Sequence, residues 1–187
     1  MPFPGQIVST FPTPSGEVTI RYPKAGDAPA LLEYINAVSR EQTFISFQGE
    51  QLTIEQEEAW LRDRLAEIAA GTNVTLSAWV GDRVIGTTGI GLKPLAERHI
   101  GVFGISVAAD FRGLGVGTKM LQSVIVEAET HLAGLRIIEL GVFANNELAY
   151  RLYQKHGFIE FGRLPGGALR RGEYVDHIYM YRVAGGG

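Results

Sequence analysis

The chain of 187 residues, 45% hydrophobic and 20% charged, is long enough to bury one sizeable core. Its formal net charge of -3 offers no basic field for nucleic acid, and no stretch approaches the roughly 20 apolar residues of a membrane span. The absence of cysteine excludes disulfides, thiolate metal sites and a cysteine nucleophile. No basic-then-apolar leader opens the chain, so the expected compartment is the cytoplasm.

Residues 1–16 carry Pro2, Pro4, Pro12 and Pro14 with little periodicity. They are expected to form an irregular N-terminal arm, draped on the domain or on a partner, which leaves a homodimer open. Residues 17–183 are expected to form the domain, and 184–187 a flexible tail. Glu17 to Tyr22 alternates as an edge or surface strand would. A helix follows Asp27, with Pro29 in its first turn and Leu31, Leu32, Ile35 and Val38 on its apolar face.

The aromatic-rich break Thr43-Phe44-Ile45-Ser46-Phe47 separates it from a second helix, where Thr53 and Gln56 have capping-box spacing. That helix runs to about Ala70, and Gly71 ends it. Asn73 to Val80 and Arg83 to Leu92, separated by Gly81-Asp82, predict a hairpin. Ile100 to Val107 is apolar at alternate and intervening positions, which predicts a central strand buried on both faces. A helix over Val116 to Leu132, a buried strand over Arg136 to Phe143 and a helix capped by Asn145 or Asn146 and running to about His156 come next. Phe158 to Leu164 and Glu173 to Tyr181 are the last strands, with Pro165-Gly166-Gly167 as an interruption.

The stretch Arg112-Gly113-Leu114-Gly115-Val116-Gly117-Thr118 joins the central strand to a helix. A glycine-rich turn before a helix suits an anion, because the first N–H groups of the helix lack internal partners and glycine admits close approach. The spacing lacks the Gly-Lys-Ser/Thr ending of a P-loop, and the third glycine of a dinucleotide fingerprint is replaced by Thr118. What it does contain is Arg-x-x-Gly-x-Gly, at Arg112, Gly115 and Gly117. A second pattern follows the next buried strand: Asn146-x-x-Ala149-x-x-Leu152-Tyr153-x-Lys155-x-Gly157-Phe158.

These two patterns, in this order, resemble motifs A and B of the GNAT N-acetyltransferase superfamily. The ending Gly172-Glu173-Tyr174-Val175-Asp176 with Met180 is similar to its RimJ/RimL-like branch. The resemblance covers about residues 17–183. It implies an α/β GNAT fold, a mixed central sheet of six to seven strands flanked by about four helices. It also implies transfer of acetyl from acetyl-CoA to a primary amine by direct attack in a ternary complex. The acceptor would be a small amine, an amino acid or a peptide or protein N-terminus. A non-catalytic acyl-CoA-binding module is the alternative. No metal is implied.

Carried over by position, residues Arg112, Gly113, Leu114, Gly115, Val116, Gly117 and Thr118 would give backbone N–H groups to the pyrophosphate. Ile105, Ser106 and Val107 would pair with the pantetheine arm, and the Val107 N–H is a candidate oxyanion donor. Asn146 would bind the pantetheine. Tyr153 would stand near the thioester sulfur as donor to the leaving thiolate. Gly104 and Gly141 are compatible with strands that splay to admit the cofactor.

For the acceptor, Phe44, Ile45 and Phe47 in the helix break and Tyr174 and Asp176 in the last hairpin are candidates. Glu50, Glu55, Glu57 and Glu58 read as a solvated acidic face. Where several family members have a glutamate this chain has Gly101, which leaves the base open between His99, Glu139 and a water chain.

Overall fold

The computed structural model describes residues 2–185. Its strands are β1 (Ile7–Thr13), β2 (Gly16–Arg21), β3 (Asn73–Val80), β4 (Arg83–Leu92), β5 (Ile100–Val107), β6 (Ile137–Phe143), β7 (Ile159–Arg170) and β8 (Glu173–Val183). Its α-helices are α1 (Ala28–Arg40), α2 (Ile54–Ala69), α3 (Val116–His131) and α4 (Glu147–Lys155). The strands form one 8-stranded sheet in the order β1-β2-β3-β4-β5-β6-β8-β7. The expected α/β architecture is present, with more strands than the six to seven predicted.

The local signals explain the helices. Thr53 and Gln56 close a capping box at the start of α2, and Pro29 sits in the first turn of α1. The Asp27 side chain makes no cap bond to α1. Its carboxylate accepts from both terminal nitrogens of Arg21, at 2.7 and 2.9 Å, and from the Lys24 backbone at 2.8 Å. The Arg21 guanidinium in turn lies 4.1 Å from the Trp79 ring centroid, so a desolvated ion pair joins β2, β3 and the entry to α1.

Helices α1 and α2 lie on what we term the front of the sheet, and α3 and α4 behind it. On the front, the Tyr34 hydroxyl of α1 meets Ser106 of β5. Behind, Met120 of α3 lies against Gly86 of β4, where an added Cβ would come 2.7 Å from the methionine sulfur. Glycine at 86 is what allows that helix to sit so close. Leu31 and Leu61 are buried in front, and Met120, Leu121 and Val124 behind. Each such side chain contributes about 1.5–3 kcal/mol relative to exposure.

The feature that organises the site is a short pairing. Strand β5 is held antiparallel to β4 from Gly86↔Val107 to Leu92↔Gly101, and β6 to β8 from Ile137↔Val183 to Phe143↔His177. Between β5 and β6 the parallel ladder has only Ile100↔Ile137, Gly101↔Ile138 and Val102↔Glu139. Beyond Val102 and Glu139 each strand follows its own antiparallel partner, and the two part. Strand β5 is central as expected, but it is not buried on both faces. Gly101 and Phe103 are buried behind, whereas Val102 and Gly104 are exposed on the front, as is Gly141 of β6.

The N-terminal region departs from the sequence reading. The expected irregular arm over 1–16 contains β1, which pairs antiparallel with β2. It is an edge strand, where a proline such as Pro12 has an open side and interrupts no central ladder. Strand β7 runs through Pro165-Gly166-Gly167, with the irregularity absorbed as a register shift between Leu164 and Ala168. In the expected tail, the Ala184 N–H donates to the Arg136 carbonyl and the Gly185 N–H to Glu129, both at 2.9 Å. Met1, Gly186 and Gly187 lie outside the described residues. Among the described residues, no helix is long and apolar enough to cross a membrane.

Candidate active site

The gap between β5 and β6 opens toward the glycine turn. Gly113 and Gly115 have φ of +77° and +81°, in the left-handed region that side chains resist, and the space where their Cβ atoms would stand is empty. Gly115 caps α3 with no side chain to occupy the first amides. The first amide bonded back to the turn is that of Lys119, to the Gly115 carbonyl at 3.1 Å. The N–H groups of Val116, Gly117 and Thr118 therefore have no acceptor within the helix. A turn with exposed amides, no obstructing Cβ and the positive end of a helix dipole fits a pyrophosphate.

Arg112 has a different part from its neighbours. Its backbone N–H already donates to the Ala109 carbonyl at 3.3 Å. Its guanidinium donates to the Val107 carbonyl at 2.8 Å and to the Glu41 carboxylate at 2.6 Å. Arg112 thus fastens the turn to the end of β5 and to the end of α1. Ile105, Ser106 and Val107 lie on the parted segment of β5. The Ser106 hydroxyl bonds to that of Tyr34 at 2.7 Å and to that of Thr87 at 3.2 Å. Sequence reasoning missed Tyr34, whose hydroxyl pKa is raised chiefly by burial.

Behind the gap stands Tyr153 on α4. Its ring meets Phe103 edge-on, with centroids 5.7 Å apart, and Phe158 at 5.9 Å. Phe103 immediately follows the last β5–β6 rung, so the tyrosine lies against the point of divergence. Burial pushes its pKa up to about 12. The phenol therefore stays protonated at neutral pH and can donate a hydrogen bond to a thiolate. Full transfer to a thiolate of pKa about 8.5 is uphill. Asn146 caps α4, its side-chain oxygen accepting from the Ala149 N–H at 3.3 Å, which leaves its amide nitrogen for another acceptor.

In front, the helix break and the last hairpin are brought together. Arg170 donates to the Thr43 carbonyl at 3.3 Å, and Arg171 to those of Gln42 and Glu41 at 3.2 and 3.0 Å. Gln42, Gln48, Leu169, Arg171 and Gly172 line a cavity of about 510 Å³ there. Phe44 meets Phe143 edge-on at 6.2 Å, and the Arg170 guanidinium lies 4.1 Å from the Phe44 centroid. Phe47 is half-buried in the same break. Tyr174 is 79% exposed. Asp176 is occupied within the hairpin, accepting from the Gly166 N–H at 3.0 Å and lying 3.6 Å from Arg163.

Two nominated bases are poorly placed. Glu139 is paired with Lys93 at 2.5 Å, on the last rung before the gap. His99 precedes β5 at the closed end of the ladder, its carbonyl accepting from the Arg136 N–H at 2.8 Å. A side chain at 101 would face neither a cleft nor solvent, since its Cβ would lie 2.5 Å from Ile90 and 3.0 Å from Leu135. Within the acidic segment Glu57 is the exception to solvation. It is 4% exposed, and burial pushes its pKa up to about 6.

Comparison with known proteins agrees with this geometry. The profile of the acetyltransferase (GNAT) family matches residues 36–158. An L-amino acid N-acetyltransferase of Escherichia coli (strain K12) is 37% identical over 109 residues, 58% of this chain and 67% of its own length. An acetyltransferase of GNAT family from Streptococcus pneumoniae superposes with a TM-score of 0.82 at 30% identity, covering 90% of this chain and 99% of that one. A phosphinothricin acetyltransferase from Sinorhizobium meliloti, solved with acetyl-CoA, has a TM-score of 0.76 at 19% identity, covering 91% and 90%. Structures of the RimJ and RimL types, at 19% and 14% identity, share the fold. The chain belongs to the acetyltransferase (GNAT) family and is an acetyl-CoA-dependent N-acetyltransferase.

Proposed function

We propose that the acceptor is the α-amine of a free amino acid, attacked directly by way of the gap between β5 and β6. The amides of Gly113 to Thr118 hold the pyrophosphate, and Ile105, Ser106 and Val107 pair with the pantetheine arm. Asn146 binds that arm through its free amide nitrogen. Tyr153 donates a hydrogen bond to the sulfur as the C–S bond breaks. A preformed donor of this kind contributes on the order of 10²–10⁴-fold.

The observation that carries the acceptor class is Arg170. Its guanidinium stacks on Phe44, and among the described residues no carboxylate pairs with it. Phe44 touches Phe143, which lies at the end of β6 beside the gap. A cation on one wall and the gap beyond it suit a molecule with a carboxylate at one end and an amine at the other. The 37% identity to an amino acid N-acetyltransferase supports the same class.

A panel of amino acids, their decarboxylated amines and short peptides, assayed by release of free CoA thiol, tests this. Amino acids are expected to be the best acceptors, and Arg170→Gln to raise their KM by about 10-fold or more, as loss of a charge-assisted contact would. Equal turnover of the decarboxylated amines would overturn the acceptor class. Preference for peptides would point to protein N-termini.

A further inference from the structure

The front face of the gap carries a histidine whose placement sequence reasoning did not reach. His177 of β8 is in register with Phe143, and its ring reaches sideways over Gly141. A Cβ at position 141 would collide with the ring edge that carries Nε2 and Cε1. On the other side, a Cβ at Gly167 of β7 would lie 3.0 Å from the His177 Cβ. The ring is held edge-on to Phe143 at 5.6 Å and beside Tyr179 at 4.9 Å. Among the described residues, neither ring nitrogen makes a hydrogen bond. Gly141 lies two residues beyond the last β5–β6 rung, on the exposed front of the parted strands. The imidazole is therefore a fixed, uncommitted acceptor at the mouth of the gap.

We propose that His177 is the catalytic base of the transfer, taking a proton from the acceptor ammonium as it enters from the front. This rests on the reading of the acceptor as a primary amine. One proton of the ammonium passes to the imidazole and then to solvent. The freed lone pair forms the C–N bond to the thioester carbonyl. As the tetrahedral adduct collapses, the C–S bond breaks. A second proton from the same nitrogen ends on the CoA sulfur, beside Tyr153, which leaves a neutral amide. His177 and Tyr153 thus act from opposite faces of the sheet, one on the incoming nitrogen and one on the outgoing sulfur.

Burial lowers the His177 pKa from its ordinary value, so the ring is neutral and able to accept at physiological pH. The charged and titratable groups on the elements packed around it are otherwise engaged or uncharged. Tyr179 is a phenol, and Asp176 and Arg163 face each other in the hairpin. Glu139 is neutralised by Lys93, and Arg170 lies beyond Phe44.

The test uses whichever amine the panel shows to be turned over, so that failure of the amino acid reading leaves it intact. Wild type, His177→Gln and His177→Phe are compared between about pH 5.5 and 9.5, the span over which imidazole and α-amines titrate. Phenylalanine keeps the ring packing and removes the nitrogens. Both variants are expected to lose on the order of 10²-fold in kcat/KM near pH 7, with the deficit shrinking as alkali deprotonates the amine in solution. Acetyl-CoA affinity is expected to be unchanged. Gly141→Ala, which displaces the ring but keeps the histidine, is expected to reproduce the neutral-pH loss. A wild-type pH profile in either His177 variant would overturn the proposal. So would a loss equal at every pH, which would mark a packing role.

Discussion

Tyr34 on α1 and Ser106 on β5 share a hydrogen bond of 2.7 Å that fastens the front helix to the strand bordering the gap. With Arg112 reaching from the glycine turn to Val107 and Glu41, it fixes both sides of the β5 end. Tyr34→Phe leaves Ser106 its bond to Thr87 at 3.2 Å. We expect a loss of about 1 kcal/mol in urea unfolding, with a raised KM for acetyl-CoA and a kcat close to wild type.

Tyr153→Phe separates the enzyme from a passive acyl-CoA binder. The ring contacts with Phe103 and Phe158 survive the change, so fold and acetyl-CoA affinity should persist. The expected loss is on the order of 10²–10⁴-fold in kcat. Steady-state kinetics at saturating substrates check it, and an unchanged kcat would remove the hydroxyl from the reaction.

Asp27 is the structural counterpart. Replacing it by alanine strands the Arg21 charge, 14% exposed, between β2 and the Trp79 ring. Breaking one partner of such a buried pair costs about 3–5 kcal/mol. Thermal unfolding should show the loss across neutral pH.

Glu57 has the opposite sign. Burial raises its folded pKa to about 6, above the ordinary 4.5 of a solvated glutamate. The protonated carboxyl is the form the fold tolerates, so stability is fullest below about pH 4.5 and falls as pH rises through about 6. Glu57→Gln should stabilise the protein at pH 7 by up to about 2 kcal/mol and flatten that part of the stability profile. Chemical denaturation at a series of pH values measures both effects.

The segments of the candidate site that are local in the chain were legible as structure. Arg112 to Thr118 and Asn146 to Phe158 each form one local unit, a turn into a helix and a capped helix, and composition and spacing define such units. The edge strand β1 was not legible, because Pro12 signals an interruption that only its position at the sheet edge beside β2 makes tolerable, while Pro14 lies in the turn that follows. Contacts set by register were hidden as well. That Lys93 neutralises Glu139, or that His177 overhangs Gly141, depends on how β4, β6 and β8 align, which no local pattern encodes. Asn146 was one of the two residues expected to cap α4, and its side chain does so, whereas the bond from the Gly166 N–H to Asp176 appears only in the fold.

The central claim is that the turn before α3 holds the pyrophosphate of acetyl-CoA. Calorimetric titration of acetyl-CoA into wild type, Gly115→Ala and Gly115→Asp tests it most directly. Gly115 has φ of +81° with open space around it, so alanine adds backbone strain without obstruction, on the order of 1 kcal/mol. Aspartate adds a carboxylate where the phosphates should lie. Affinity is predicted to fall modestly for alanine and by about 100-fold or more for aspartate, the equivalent of some 3 kcal/mol. Acetyl-CoA binding to Gly115→Asp with wild-type affinity would contradict the account.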